Sequence, residues 1–84
     1  MRRLQLKSKN TENQLITSVS RHQVMEVFKS MDFTIDLEGI DILILRNSKF
    51  PFHRIAIPND EMISVELLKK YANDLGIPFE IFLP

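Results

Sequence analysis

Between residues 21 and 31 apolar side chains return every three to four positions. Val24, Phe28 and Met31 recur at i, i+4 and i+7, and Val27 widens the stripe, which is the period of a helix with one face against a core. Ser20, three residues ahead of Gln23, fits a capping box, and Val19 is placed to pack on Val24 as a hydrophobic staple. Asp32 stands just past this helix, where glycine is commoner. The period then changes to two. Phe33, Ile35 and Leu37 alternate with Thr34 and Asp36, the pattern of a half-buried strand. Glu38 and Gly39 make a turn, residues 40–46 a second strand, and Asn47, Ser48, Lys49 and Pro51 a second turn. Residues 52–57 make a third strand, which Pro58 stops. Helical spacing resumes at Val65: Val65, Leu68, Ala72 and Leu75 share a face, Leu67 and Tyr71 flank it, and Lys69 and Lys70 face solvent. Ser64 is the expected N-cap, with Glu66 in the dipole-favoured first turn. Gly76 suits the left-handed C′ position and Pro78 forbids continuation. Residues 79–83 are apolar enough to fold back onto the core.

These elements predict an α+β fold, with a helix, a three-stranded antiparallel sheet and a second helix as one domain over residues 19–84. Residues 1–18 read as a flexible polar arm; residues 14–19, with Leu15, Ile16 and Val19, are its most strand-like stretch. The second strand is apolar on both faces, with Ile42 and Ile44 on one and Leu43 and Leu45 on the other. A sheet covered by helices on one side should be polar on the other. Leu43 and Leu45 are therefore expected to need cover from the N-terminal segment, the C-terminal tail or a second protein, and they are the candidate interface.

Composition narrows the reading. Eighty-four residues hold one domain at most, and so short a chain buries only about 60% of its unfolded surface, so a partner contact is a natural source of extra stability. With no cysteine, disulfides and thiolate metal sites are excluded, which suits a reducing, cytoplasmic setting. The longest apolar run, residues 42–45, is far below the ~20 residues of a membrane helix. Arg2 and Arg3 look like the start of a signal peptide, but Gln5, Lys7 and Lys9 break any apolar stretch after them. Net charge is zero, yet unevenly placed: residues 1–19 carry four cations and one anion, and residues 20–84 carry seven and ten. A mildly acidic folded region counts against RNA binding by the domain alone.

The residues now placed resemble HicA-type toxins, small ribonucleases of bacterial toxin–antitoxin pairs. The run Phe28-Lys29-Ser30-Met31-Asp32-Phe33 looks like the family's helix entering a Gly-Phe corner, with Asp32 for the glycine. Ile55-Ala56-Ile57-Pro58 looks like its Val-x-Val-Pro strand exit, and the last helix with Gly76-Ile77 and residues 79–83 looks like its closing helix and Phe-Leu tail. The resemblance spans residues 19–83 and implies a shape close to the double-stranded-RNA-binding domain. It also implies an antitoxin-like partner. Where the family reads Gly-Ser-His, with the histidine in metal-free RNA cleavage, this chain reads Gly39-Ile40-Asp41, and Asn59-Asp60 follow Pro58 in place of a basic residue or histidine. An aspartate of ordinary pKa, about 3.9, is a weak base, and its charge repels a phosphodiester.

The expected function is accordingly a HicA-like binding or assembly module without histidine-dependent ribonuclease activity. One alternative is an active ribonuclease using Asp41 or His53, although antiparallel pairing of the second and third strands sets those two apart. The other is a homodimerisation module with no RNA role. Arg46, Lys49 and Arg54 around the second turn, and Arg2 and Arg3 in the arm, are the candidate RNA or partner contacts. Their plainer roles are a charged hairpin end that keeps strand edges soluble and a solvated tail with no aromatic to stack on bases. His22 and His53 lack metal-ligand spacing, and no phosphate-binding glycine loop or nucleophile elbow is present. No metal, cofactor or membrane association is expected.

Overall fold

The computed structural model describes residues 16–84. In chain order the elements are β1 (Ser18–Ser20), α1 (Arg21–Ser30), β2 (Phe33–Glu38), β3 (Ile42–Asn47), β4 (Arg54–Pro58), β5 (Met62–Ser64), α2 (Val65–Leu75) and a closing 3-10 turn (Phe79–Phe82). Among the described residues the fold is α+β: two helices, an antiparallel three-stranded sheet in the order β2-β3-β4, and a two-stranded ribbon of β1 with β5.

The helix ends follow the local chemistry anticipated for them. Ser20 accepts from the Gln23 backbone N–H at 3.1 Å, and Ser64 accepts from that of Leu67 at 3.2 Å, each serving one of the N–H groups a helix start leaves without a partner. Gly76 closes α2 in the left-handed region at φ 69. Asp32, after α1, takes the same region at φ 72 without being glycine; its carbonyl accepts from Ser48 N at 3.0 Å and its carboxylate meets Lys49 Nζ at 3.0 Å.

The ribbon was not expected as such. Ser18 pairs with Ser64, Val19 with Ile63 and Ser20 with Met62, so the strand-like end of the arm belongs to the domain. Its pairing partner lies in residues 62–64, too short a stretch for periodicity to reveal. Bonds from Arg21 N to Glu61 O at 2.8 Å and from Val65 N to Thr17 O at 2.9 Å extend it in both directions. Each ribbon strand ends at the cap of a helix.

The core lies between one sheet face, the helices and the ribbon. Phe28 is its hub: its ring meets Phe33 at 5.1 Å, Phe82 at 5.1 Å and Tyr71 at 5.9 Å between centroids, and Val24, Ile63 and Leu68 are fully buried nearby. Phe82 brings the C-terminal segment onto the core, on the helix side of the sheet.

Leu43 and Leu45 are buried core residues, so the cover expected for them comes from the chain itself and they are not available as the candidate interface. The reason is register. Leu43 lies opposite Ile57 and Leu45 opposite Ile55, and directly opposed residues share a face of the sheet. β4 alternates Arg54-Ile55-Ala56-Ile57, so its two isoleucines go inward and carry the leucines with them. The row left outside is Ile42 and Ile44. A bulge adds to it. Ile35 opposes Leu45, but Leu37 opposes Ile44, so the residue inserted at Asp36 turns Leu37 outward and breaks the alternation anticipated for β2.

Candidate functional site

Asp41, which the resemblance sets where a catalytic histidine is expected, closes the loop between β2 and β3. Its side chain is exposed and its carbonyl accepts from Asn59 N at 3.0 Å. The Asn59 side chain also donates to the Ile40 carbonyl at 3.0 Å, so one asparagine holds both residues, and Ile40 is left 91% exposed. Gly39 N donates to Ile42 O at 2.9 Å, and a Cβ on Gly39 would sit 3.2 Å from that same oxygen, which accounts for a glycine there.

His53 lies at the other end of the sheet. The pairings Ile42 with Pro58 and Arg46 with Arg54 place Asp41 level with Asn59. Six residues of strand at about 3.4 Å each put His53 roughly 20 Å from it. No acid–base pair forms between them, as the expected pairing implied. His53 is exposed, with its carbonyl engaged by Asn47 N at 2.8 Å.

The cations at the second turn do come together, and two of them are neutralised. Lys49 pairs with Asp32, and Arg54 pairs with Asp36. The hydrogen bond from Arg54 holds the Asp36 carboxyl below the usual carboxylate range, slight desolvation opposes this, and the charges of Arg54 and Arg46 add to the lowering. Arg46 instead lies over the Phe52 ring, 5.2 Å from its centroid. Arg2 and Arg3 lie outside the described residues. Among the described residues no three His, Cys, Asp or Glu side chains are grouped to hold a metal ion, and no helix is long and apolar enough to cross a membrane.

Two surfaces escaped the sequence reading. One is the outer sheet face, where Leu37 is 57% and Ile42 41% exposed beside Ile44. Around them a shallow cavity of about 550 Å³ is lined by Asp36, Leu37, Ile44, Arg54, Ile55 and Ala56. The small Ala56 between two buried isoleucines was the available sign that this side is open. The other is the hairpin tip, where Phe50 is 85% and Phe52 43% exposed, their rings edge to face at 6.0 Å. Phe52 reads as the first residue of the third strand, but β4 begins only at Arg54 and Phe52 stays in the turn.

No protein-family model, curated protein or solved structure matches the chain significantly.

Proposed function

We propose that this protein is a non-catalytic assembly module on a HicA-like, double-stranded-RNA-binding-domain-like scaffold, and that it pairs with a second copy of itself through the outer sheet face. The helix, three antiparallel strands and helix occur in the order that scaffold requires, with the β1–β5 ribbon as an addition. The observation that carries the reading is the exposed apolar row Leu37, Ile42 and Ile44 on a sheet whose other face packs Phe33, Leu43, Leu45, Ile55 and Ile57 into the core, a surface that gains by leaving water. Its rim holds both signs, Asp36 with Arg54 and Arg46, so it is self-complementary in charge about a two-fold axis. Against ribonuclease activity stand an exposed Asp41 that has no acid–base partner across the sheet and Ile40, which has no side-chain donor, in place of serine.

Sedimentation velocity over micromolar to sub-millimolar concentrations tests the assembly. The expected result is a dimer that Leu37→Lys and Ile42→Lys each make monomeric without loss of the folded circular dichroism spectrum. A monomer throughout the range overturns self-pairing. Incubation with single-stranded RNA in EDTA tests the chemistry: RNA should stay intact, and cleavage abolished by Asp41→Ala or His53→Ala restores the enzyme reading.

A further inference from the structure

We infer that the β3–β4 hairpin tip is a binding site for single-stranded nucleic acid, with an unpaired base stacked on Phe50 and phosphates held by Arg46 and its neighbours. This site shares Arg46 with the rim of the sheet face, but its stacking residue, Phe50, is no part of that face's apolar row. Residues 42–59 contain Arg46, Lys49 and Arg54 and not one carboxylate. The rest of residues 20–84 holds four cations against ten anions. This stretch is also the one that exposes two phenylalanine rings, and among the described residues, with Asp32 on Lys49 and Asp36 on Arg54, the tip keeps its unpaired positive charge on Arg46. Strand-tracking proteins combine these elements, a cationic track for the backbone and aromatic faces for successive bases.

The tip is also held in place. Phe52 N donates to Lys49 O at 2.7 Å, Lys49 N to Asn47 Oδ1 at 2.8 Å, and Asn47 Nδ2 to Met31 O at 3.0 Å. Phe52 itself sits in the left-handed region at φ 63, where a bulky residue is strained and glycine or asparagine is not. That backbone turns the Phe52 ring under the Arg46 guanidinium and edge-on to Phe50, leaving Phe50 as the outermost flat surface. Among the described residues, the Arg46 charge is the one of the three not taken up by an ion pair of its own. A base stacking on Phe50 brings its phosphate towards Arg46 and Lys49, both on exposed stretches of the same hairpin.

The experiment uses fluorescence anisotropy of labelled short oligouridine and oligothymidine with the full chain at low salt. Both should bind, since the chemistry invoked is shared by RNA and DNA. Phe50→Ala should weaken binding by about one to two orders of magnitude, the effect of losing one base–aromatic stack, while Phe50→Tyr should bind as the parent does. Arg46→Gln should weaken binding and reduce the salt dependence by about one charge. Phe50 is almost wholly exposed, so its replacement tests contact and not folding. Binding that survives Phe50→Ala but is lost on replacing Arg2 and Arg3 by serine overturns the site, as does absence of binding at sub-millimolar protein. A shift in sedimentation mass caused by Phe50→Ala with no nucleic-acid effect also overturns it, in favour of a protein contact.

Discussion

Tyr71 offers the sharpest test of the packing. Its ring is buried, and its hydroxyl donates to the Ala56 carbonyl at 2.6 Å, tying α2 to the outer edge of β4. Tyr71→Phe removes one oxygen and nothing else. An internal hydrogen bond contributes about 0.5–1.5 kcal/mol net. Ala56 is exposed enough for its carbonyl to turn to water, so the expected cost is about 1 kcal/mol and not the larger penalty of an orphaned buried group. With a urea slope of about 1 kcal/mol/M for a domain of this size, the midpoint should fall by about 1 M. Burial also pushes the phenol up to about 12. The unfolded chain therefore loses this proton first, near pH 10, and holds fewer protons than the folded one above that point. Stability from this group is whole below about pH 10 and is lost as the pH rises towards 12. The chain has one tyrosine and no tryptophan, so absorbance at the phenolate band reports Tyr71 alone. In native protein its midpoint should stand well above that in urea. Lysines titrate in the same range, but they cancel when parent and Tyr71→Phe stability curves are subtracted. A native midpoint equal to the urea midpoint, or a variant as alkali-sensitive as the parent, would refute the buried, donating hydroxyl.

Phe28→Leu keeps an apolar side chain but removes three ring contacts worth about 0.5–1.5 kcal/mol each. Urea denaturation should show a loss of about 2–4 kcal/mol, a large share of the roughly 4–13 kcal/mol a chain of this length holds. Gly76→Ala should cost about 1 kcal/mol by the same measurement; a Cβ there meets nothing within 4 Å, so the loss is the strain of a left-handed alanine alone. Carboxyl carbon shifts followed by NMR should place Asp36 below the ordinary aspartate midpoint. Its depressed pKa means the Arg54 ion pair is present above that range and lost as pH falls through the folded-state value, and Arg54→Gln should move the midpoint back up.

The helices were legible because their signals are local. The Ser20 and Ser64 caps, the i, i+4, i+7 stripe of α1 and Gly76 each act over a turn or two, and α2 runs over Val65–Leu75 as its spacing indicates. The sheet was less legible because a face is fixed by pairing and not by one strand's own pattern. In β3 the run Ile42-Leu43-Ile44-Leu45 satisfies either orientation, and only its register with Ile55 and Ile57 decides that the leucines go inside. The bulge at Asp36 leaves no mark in the alternation of residues 33–37. Of the candidate site, the Arg46, Lys49, Arg54 cluster and the separation of Asp41 from His53 could be read from turn and register. The ion pairs that neutralise Lys49 and Arg54 could not, since Asp32 and Asp36 reach them from elsewhere in the chain.

The β1–β5 ribbon also decides how the domain answers to mechanical load. Tension applied between Ser18 and the start of α2 enters β1 at Ser18 and β5 at Ser64. Ser18 and Ser64 are opposite one another. Both forces thus act at the same end of the ribbon, so its three pairs open in succession, as a zipper does, and do not resist together as they would in shear. A pull on Ser18 against the start of α2 would peel β1 away first and next expose the Ser20 end of α1.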